Sequence, residues 1–350
     1  MLDDDTPETI ATRRRAPTIA DVAATANVAI GTVSRFLNGH DIRRANREAI
    51  EAAIEKLSYR RNAVAAAMKT DLTHMIGLLA PTFDDYHATM IERLAVTIRS
   101  TGRALVMYCH GGDRRIMAEA LDFFAAQRVD ALIMDGVPEV RDRVERLLGE
   151  GIPIVLYNND MPGVAADRVL VENRRDSFRA VSHLLDLRHE RIAILTGDLH
   201  DSSARQRFEG YEAALAAHGI AVDPDYVVNA DWKVEKAYQA TKQLMELPRP
   251  PTAMLASNYG MAIGALGWLK DNGRRVPDDL SLVSFDDVAL FRLHEAGITA
   301  VAQPLNRIAD AITDLLVSRL GDAKARGPRS VVLDCDVILR GSTRRVTAPV

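Results

Sequence analysis

Apolar positions in the first sixty residues recur at the spacing of amphipathic helices. A first short helix carries its apolar stripe within residues 19–23, and a second carries it in Val33 and Leu37. Between them, Asn27 suits the left-handed backbone that a sharp turn requires. Two short helices joined by such a turn form a helix-turn-helix, in which the second helix enters the major groove of DNA.

A third helix is predicted from about residue 44 to residue 57. Its apolar residues Ile50, Ile54 and Leu57 face inward, while its charged residues point largely outward. Three amphipathic helices can bury one small core. We therefore predict a small all-α domain at residues 17–58.

From residue 74 onward, short apolar segments alternate with segments of helical length. The strand candidates are residues 75–80, 104–109, 130–136, 152–157, 191–197, 251–257 and 280–287. Near-continuous apolar strands separated by helices are typical of parallel sheets that are covered on both faces. This region is long for one doubly wound sheet. We predict two α/β lobes with parallel doubly wound sheets, and a ligand between them at the carboxyl ends of the strands.

The composition of the 350 residues is that of a folded protein, with 47% hydrophobic and 26% charged residues. No apolar run approaches the roughly 18 residues that a membrane span needs, and the N-terminus does not have the pattern of a signal peptide. Cys109 and Cys335 lie in apolar stretches. We expect both to be buried free thiols in a cytoplasmic protein, not a disulfide or a metal site.

Taken alone, the net charge of −4 argues against a nucleic-acid partner, but the charges are unevenly placed. Residues 13–70 contain eleven Lys and Arg against five Asp and Glu, whereas the residues after them contain 33 against 39. A basic block followed by an acidic body indicates a small polyanion-binding module. A chance excess of charge on a solvated helix face is the alternative.

The stretch TIADVAATANVAIGTVSRFLN at residues 18–38 resembles the DNA-binding headpiece of the LacI/GalR family of transcriptional regulators. The resemblance implies that Ile30, Gly31 and Arg35 read bases. The guanidinium of Arg35 can bond O6 and N7 of guanine together. The other DNA contacts that the resemblance implies are Thr18, Thr32, Ser34, Asn38, Tyr59, Arg60, Asn62, Met68 and Lys69. A helical bundle without a DNA-binding role is the alternative.

Two segments depart from or extend this headpiece. Ala29 stands where the family usually has a Ser that caps the recognition helix. Without this cap the helix is less stable by about 1 kcal/mol. Residues 59–73 resemble the hinge helix and linker, in which Met68 takes the place of the leucine that enters the minor groove. A plain linker is the alternative there. Residues 1–16 lie outside the match, and we expect a disordered tail.

The resemblance continues through residues 74–350, in RPPTAMLASNYGMAIGAL, NGRRVPDDLSLVSFDD and LRGST. These segments look like the family's effector-binding region, which shares its fold with type I periplasmic sugar-binding proteins. The resemblance implies a first lobe at about 74–172 plus part of 300–330. It implies a second lobe at about 173–299 plus the C-terminal segment.

Candidate pocket residues follow strands or begin helices, where polar groups converge. The segment DSSARQRFEGY matches the family's ligand-binding loop and makes Arg207 the leading effector contact. Trp232 is suited to stacking on a sugar ring. The remaining candidates are Asp84, Tyr86, Asn158, Asn258, Tyr259 and Asp286. Each has a structural alternative as a solvated charge or a helix cap.

Two departures bear on the class of effector. Asn258-Tyr259 replaces the Asn-Asp that sugar-responsive members commonly have, and Asn158 stands where many have Asp. Both changes remove negative charge from the cleft that holds Arg207. They favour an anionic effector, such as a sugar acid or a phosphorylated sugar, over a neutral sugar.

An enzyme and a free-standing sugar-binding protein are the alternative functions. GALG at residues 264–267 lacks the third glycine of a dinucleotide fingerprint, and GxxxxGK[ST], HExxH and GxSxG are absent from the sequence. No histidine cluster has metal-ligand spacing. We therefore expect no enzyme activity, cofactor or metal. The predicted function is a homodimeric repressor of a carbohydrate or sugar-acid operon, bound to a near-palindromic operator and controlled by a small-molecule effector.

Overall fold

The chain folds into two compact units, residues 1–73 and 74–350. The structure, a computed structural model, describes residues 15–60, 72–321 and 327–346. The predicted DNA contacts Asn62, Met68 and Lys69, the hinge helix and most of the predicted tail lie outside the described residues.

The first unit contains the three predicted helices: α1 (Ile19–Thr25), α2 (Ile30–Leu37) and α3 (Arg44–Leu57). The turn between α1 and α2 holds Asn27 in the left-handed region, with φ of 53°. Val22, Val33 and Ile50, one from each helix, are fully buried against one another in a small apolar core. The helix-turn-helix prediction is therefore confirmed.

The first two helices begin differently. Thr18 and Asp21 form a reciprocal capping box at the start of α1, in which the Thr18 hydroxyl and backbone N–H both donate to the Asp21 carboxylate at 2.7 Å. Ala29 precedes α2 and provides no side-chain cap. The N-terminal N–H groups of α2 are thus left for another acceptor.

The second unit begins with an alternation of strands and helices that builds most of lobe 1. Its elements are β1 (Met75–Ala80), α4 (Asp85–Ser100), β2 (Ala104–Cys109), α5 (Arg114–Ala126), β3 (Ala131–Asp135), α6 (Arg141–Gly149), β4 (Ile154–Tyr157) and β5 (Asp167–Val171). A 3-10 turn, Pro138–Val140, precedes α6.

The chain then enters lobe 2. Its elements are α7 (Asn173–Asp186), β6 (Ile192–Thr196), α8 (Ser202–Ala217), β7 (Val227–Asn229), α9 (Val234–Met245), β8 (Ala253–Ala256), α10 (Tyr259–Asp271), β9 (Ser281–Phe285), α11 (Ala289–Leu293) and β10 (Thr299–Ala302). A 3-10 turn, Pro224–Tyr226, leads into β7.

The C-terminal part returns to both lobes through α12 (Leu305–Gly321), β11 (Ser330–Leu333) and β12 (Asp336–Ile338). Helix α12 packs on α4, where Thr97 and Thr313 share a hydrogen bond of 2.7 Å. Within the described residues each lobe has a six-stranded sheet, ordered β11-β5-β4-β3-β1-β2 and β12-β10-β9-β8-β6-β7. The chain therefore crosses between lobes after Val171, after Ala302 and after Leu333.

All seven predicted strands are present, and two parallel-sheet lobes are confirmed. The prediction needs two corrections. β12 runs antiparallel to β10, because it follows a short return from lobe 1 and not a crossover helix. Cys109 is a free thiol but only half-buried, since it ends the edge strand β2; Cys335 is free and buried as expected.

Close packing of α7 on α8 positions the start of lobe 2. A Cβ on Gly210 would lie 2.2 Å from the backbone oxygen of Arg174, so only glycine permits this approach of the two helices. One apolar cluster runs through both lobes, from Leu78 in β1 to Val181 in α7 and Val283 in β9. The lobes thus share a continuous core beneath the cleft that separates the carboxyl ends of their strands.

We expect Ala29→Ser to stabilise α2 by about 1 kcal/mol, because the backbone at this position already has the extended conformation of an N-cap. Amide hydrogen exchange within α2 should slow by about fivefold. Thr18→Ala removes the cap of α1 and should speed amide hydrogen exchange in that helix, which makes it the control of opposite sign. Unchanged exchange in Ala29→Ser would mean that α2 does not open from its N-terminus.

Candidate functional site

The exposed face of α2 is the candidate DNA-binding surface. Ile30 is 52% exposed although it is a large apolar residue, and Gly31 and Arg35 are also exposed. Thr32 and Ser34 are partly exposed. The guanidinium of Arg35 makes one long hydrogen bond, 3.5 Å from Nη2 to the carbonyl of Asp41. Its donors are therefore available to an acceptor outside the chain.

The other predicted DNA contacts that the structure describes have local roles as well. Thr18 caps α1, and Asn38 is the C-cap of α2. Tyr59 packs against the apolar core of the three helices, which leaves it half-buried, whereas Arg60 is exposed. Their contact with DNA remains a prediction.

A cavity of about 290 Å³ lies between the lobes of the second unit, and all eight predicted effector-binding residues line it. The sequence alone did not indicate several further polar residues on its wall. These are His87, His110, Arg114, Asp135, Glu139, Asn159, Asp198, His200, Asp201, Ser203, Asp231 and Gln303.

Arg207, on α8, is buried at the floor of the cavity. Its Nε donates to Asn173 at 2.8 Å, its Nη1 donates to the carbonyl of Ser257, and its Cζ lies 3.6 Å from the ring centroid of Phe285. Burial lowers the pKa of Arg207, although the negative charge of Asp286 opposes this effect. Within the described residues Nη2 donates no hydrogen bond, so it is available for a ligand.

Asp286 follows β9 and is also buried, and burial raises its pKa despite the charge of Arg207. Its Oδ1 accepts from Nε2 of Gln303 at 2.7 Å. The Oε1 atom of Gln303 accepts from the hydroxyl of Tyr86 at 3.1 Å. Gln303, on the second crossover, thus connects lobe 1 to lobe 2. It was missed because a lone Gln after a short strand carries no recognisable pattern.

Trp232 lies on the lobe 2 side, with its indole against Gly197 at the end of β6. A Cβ on Gly197 would come within 2.0 Å of the ring, so the glycine creates the space for the indole. The ring Nε1 donates to Asp201 at 2.8 Å. The Asp201 carboxylate therefore holds Trp232 and makes no side-chain cap for α8, although it precedes that helix.

Lobe 1 supplies the cap that α8 lacks. Asn159 follows β4, and its side-chain oxygen accepts from the backbone N–H of Ser203 at 2.8 Å. The backbone N–H of Asp160 donates to the Ser202 hydroxyl at 2.7 Å. These bonds cross the cleft to the first turn of the helix that carries Arg207. A change in lobe angle must therefore alter the capping of α8.

Asp135 ends β3 and is buried in the same wall. Its oxygens accept from the backbone N–H of Asn159 at 3.0 Å and from the Asn158 amide at 3.3 Å. Burial, and next the negative charge of Asp201, raise the pKa of Asp135 to about 6. Asn158 therefore contacts this carboxylate as well as lining the cavity.

Some predicted pocket residues also hold helix ends, as the structural alternative proposed. Asp84 caps α4 by accepting from the backbone N–H of His87 at 3.0 Å, and Asn258 caps α10 by accepting from Met261 at 2.8 Å. Tyr259 lies near Asp84; burial and that carboxylate raise the pKa of its phenol. Capping uses the side-chain oxygen of Asn258 and leaves its NH₂ group for a ligand.

Four residues that line the cavity have a strained backbone. Asn158, Asp231, Trp232 and Asp286 all have positive φ, between 51° and 71°. Such a conformation costs about 1–3 kcal/mol in a residue other than glycine and persists where the surrounding structure enforces it. The cavity wall is therefore held in place at a cost in backbone strain.

The charge of the cavity differs from the sequence-based expectation. Seven carboxyl groups line it, against the guanidinium groups of Arg114 and Arg207. The expectation of an anionic effector considered only Asn158 and Tyr259, whereas folding brings acids from several separate loops to the same wall. The charge of the assembled cavity disfavours an anionic ligand.

We expect Asp135→Asn to stabilise the protein at neutral pH. Folding raises the pKa of this carboxyl from 3.8 to about 6, so the folded state favours the protonated form. The stabilisation that protonation provides is complete below about pH 4 and is lost as the pH rises through 6. The free energy of unfolding at pH 7.5 should rise by about 1–3 kcal/mol, with little change at pH 4. Denaturant unfolding at both pH values checks this. Exposed Asp142→Asn controls for charge, and destabilisation at both pH values would contradict the prediction.

Comparison with known proteins agrees with this architecture. Residues 18–62 match the family model for bacterial regulatory proteins of the lacI family, and residues 181–343 match that for a periplasmic binding protein-like domain. Within the described residues, no group of three His, Cys, Asp or Glu side chains is arranged to hold a metal ion. In the same residues, no helix has the length and apolar character to span a membrane.

Full-length relatives are similar throughout. The chain is 30% identical over 331 residues to the HTH-type transcriptional repressor CytR of Escherichia coli K12, covering 94% of this chain and 97% of the relative. It is 30% identical over 336 residues to the probable HTH-type transcriptional repressor ExuR of Bacillus subtilis 168, covering 94% of this chain and 99% of the relative.

Solved structures of similar architecture cover nearly the whole chain. A complex of the transcriptional regulator CelR with cellobiose has a TM-score of 0.71 at 26% identity, covering 93% of this chain and 99% of that structure. The lac repressor dimer bound to operator and the anti-inducer ONPF shares the fold, with a TM-score of 0.82 at 24% identity, covering 94% and 100%. The chain belongs to the lacI family of bacterial regulatory proteins.

Proposed function

We propose that this protein is a transcriptional repressor whose affinity for operator DNA is controlled by a small molecule bound between its two lobes. The observation that carries the proposal is the presence, in one chain, of a helix-turn-helix with an exposed reading face and a polar cavity between two lobes. CytR and ExuR, which are similar over their full length, are transcriptional repressors by name.

The DNA-binding part of the proposal rests on α2. Arg35 is the residue best suited to sequence readout, because its exposed guanidinium can grip a guanine edge. Exposed Ile30 is suited to contact with a thymine methyl group, while Gly31 permits close approach to the groove. We propose a homodimer whose twofold axis coincides with that of a near-palindromic operator.

The regulatory part rests on contacts that cross the cleft. Tyr86 and Gln303 connect the lobes on one side, and Asn159 caps α8 on another. A ligand that binds one lobe arrangement better than the other shifts the equilibrium between them by its differential affinity. We propose that this shift changes the hinge segment and with it operator affinity.

The effector class that we propose is a polyhydroxylated small molecule such as a sugar. Arg207 and Asp286 present a donor and an acceptor side by side, Gln303 and Asn258 add amide groups, and Trp232 offers an aromatic ring. This combination suits vicinal hydroxyls on a ring with an apolar face. The CelR structure holds cellobiose.

We propose that the chain is not an enzyme and acts in the cytoplasm, where its operator is located. The cavity residues are engaged in caps, in the Arg207 network and in contacts between lobes, and these interactions suit ligand binding. The division of the chain into a headpiece at 17–58, a hinge segment at 59–73 and a two-lobed effector domain from residue 74 is part of the same proposal.

We expect Arg35→Ala to weaken binding to the preferred operator by about 1–3 kcal/mol while preserving most of the affinity for random DNA. Fluorescence anisotropy with an operator selected from a random pool, measured at two salt concentrations, checks this. Lys56→Ala, which removes an exposed charge from α3, controls for the loss of charge alone. Equal losses on operator and random DNA would show that Arg35 contacts phosphate.

We expect Arg207→Ala to abolish the response to effector and leave operator affinity within about threefold, because the guanidinium lies in the cavity and not on α2. Thermal-shift screening of sugars identifies the effector, and operator binding with and without it gives the response. Exposed Arg205→Ala on the same helix is the matched control. A normal response in Arg207→Ala would remove this residue from the effector site.

A further inference from the structure

Helix α8 is preceded by a capping residue that does not cap it. Asp201 has the extended backbone of an N-cap, with φ of −69° and ψ of 133°, and aspartate is among the residues that cap helices best. Its carboxylate nevertheless accepts no hydrogen bond from the first turn of the helix. It accepts instead from Nε1 of Trp232 at 2.8 Å. Asp201 is thus placed to hold either the helix or the indole, and in this structure it holds the indole.

An acceptor from the opposite lobe takes the place of Asp201 at the helix. The side-chain oxygen of Asn159 accepts from the backbone N–H of Ser203 at 2.8 Å and from the hydroxyl of Ser202 at 3.4 Å. Ser203 is the second residue of α8, and its N–H is one of the two that an N-cap side chain normally bonds. Asn159 and Ser203 are both buried. A buried N–H that loses its acceptor is costly, so Ser203 requires a replacement if Asn159 withdraws.

The position of Trp232 depends on the carboxylate of Asp201. Trp232 and its neighbour Asp231 both have positive φ, 61° and 51°, a conformation that surrounding contacts must enforce. The indole lies against Gly197, and the Cζ atom of Arg207 lies 5.7 Å from its ring centroid. In the part of the chain that the structure describes, the indole N–H donates only to Asp201. Loss of that bond removes a contact that holds a strained segment in the cavity wall.

Two donors therefore share two acceptors at this point of the cleft. The Ser203 N–H, the Trp232 indole and the Asp201 carboxylate all belong to lobe 2, whereas Asn159 follows β4 of lobe 1. If the lobes separate, Asn159 is withdrawn and both donors face one carboxylate. The N–H groups at a helix N-terminus carry the positive end of the helix dipole, whereas the indole is neutral. The carboxylate is therefore attracted more strongly to the helix.

We propose that Asp201 is a positioning residue shared between Trp232 and α8, and that Asn159 of the opposite lobe decides which of the two it holds. With the lobes together, Asn159 caps α8 and Asp201 places the indole in the cavity. When the lobes separate, Asp201 caps α8 and releases the indole. The inference rests on the proposed effector-binding function and deepens it, because a ligand ring stacked on Trp232 then binds one lobe arrangement in preference to the other.

The test measures the two hydrogen bonds separately in the full-length protein, without ligand or DNA. Hydrogen exchange followed by NMR reports on the Ser203 amide and on the indole N–H of Trp232, and Trp268, the other of the two tryptophans, is the internal control. We expect Asn159→Ala to speed indole exchange of Trp232 by about tenfold or more. Exchange of the Ser203 amide should change by at most about twofold, because Asp and Asn cap helices about equally well.

A cycle of variants isolates the contribution of Asp201. Asp201→Ala alone should speed indole exchange and leave the Ser203 amide unchanged, since Asn159 still caps the helix. Added to Asn159→Ala, the same substitution should speed exchange of the Ser203 amide by about fivefold, the effect of losing an N-cap. Exposed Arg205→Ala, on the same helix, should change neither signal.

A second variant tests the loss of the lobe 1 acceptor with a polar group retained. The hydroxyl of Asn159→Ser ends one bond nearer the backbone than the amide oxygen that bonds Ser203. This variant carries the same expectations as Asn159→Ala, for Trp232 and for Ser203, and replaces it in the cycle if the alanine variant does not fold.

Two outcomes would overturn the inference: unchanged indole exchange of Trp232 in the Asn159 variants, or an effect of Asp201→Ala on the Ser203 amide that is the same with and without the Asn159 side chain. Either result would mean that the two hydrogen bonds are independent. Operator binding by the same preparations is measured in parallel. Independent bonds with intact operator binding refute the role of Asp201 alone. Absence of specific operator binding by the unmodified protein refutes the proposed repressor function instead.

Discussion

The buried guanidinium of Arg207 is the interaction on which the cleft depends. A charge removed from water costs several kcal/mol unless the protein replaces its hydration. Here Asn173, the Ser257 carbonyl, the Phe285 ring and Asp286 do so, and they come from the start of α7 and from two neighbouring strand ends. Loss of one partner would leave the charge unsatisfied. These loops are therefore held in one arrangement, in which one face of the guanidinium network remains open to a ligand.

The cavity is built at a cost to stability. Positive φ at Trp232 and Asp286, the buried charge of Asp135 and the unsatisfied Nε2 of His87 each destabilise the fold without a ligand. In the small core of the headpiece, by contrast, Val22, Val33 and Ile50 pack as purely apolar side chains. Such costs in a cavity wall are typical of a site that gains its last interactions from a ligand.

Helix capping connects the site to the movement of the lobes. The first turn of α8 is capped across the cleft by Asn159, while its own Asp201 holds Trp232. If the lobes separate, the first turn of α8 loses the Asn159 oxygen as its acceptor. The nearest replacement is the carboxylate of Asp201, which orients the indole of Trp232. Lobe angle, helix stability and the position of a ligand-facing ring are therefore linked through a few hydrogen bonds.

The sequence by itself determined the helix-turn-helix and the seven apolar strands, because local periodicity encodes them. The resemblance of contiguous segments to the family indicated Arg207, Trp232 and Asp286 as cavity residues. The bounds predicted for helix α3, about residue 44 to residue 57, agree with the structure, and Ala29 was recognised as a missing cap. The antiparallel β12, Gln303 and the exposure of Cys109 depend on which distant segments become neighbours. The charge of the cavity depends most of all on which segments the fold brings together. Asp135 and Asp201 are 66 positions apart in the chain, and only the packing of two lobes brings their charges close enough to repel.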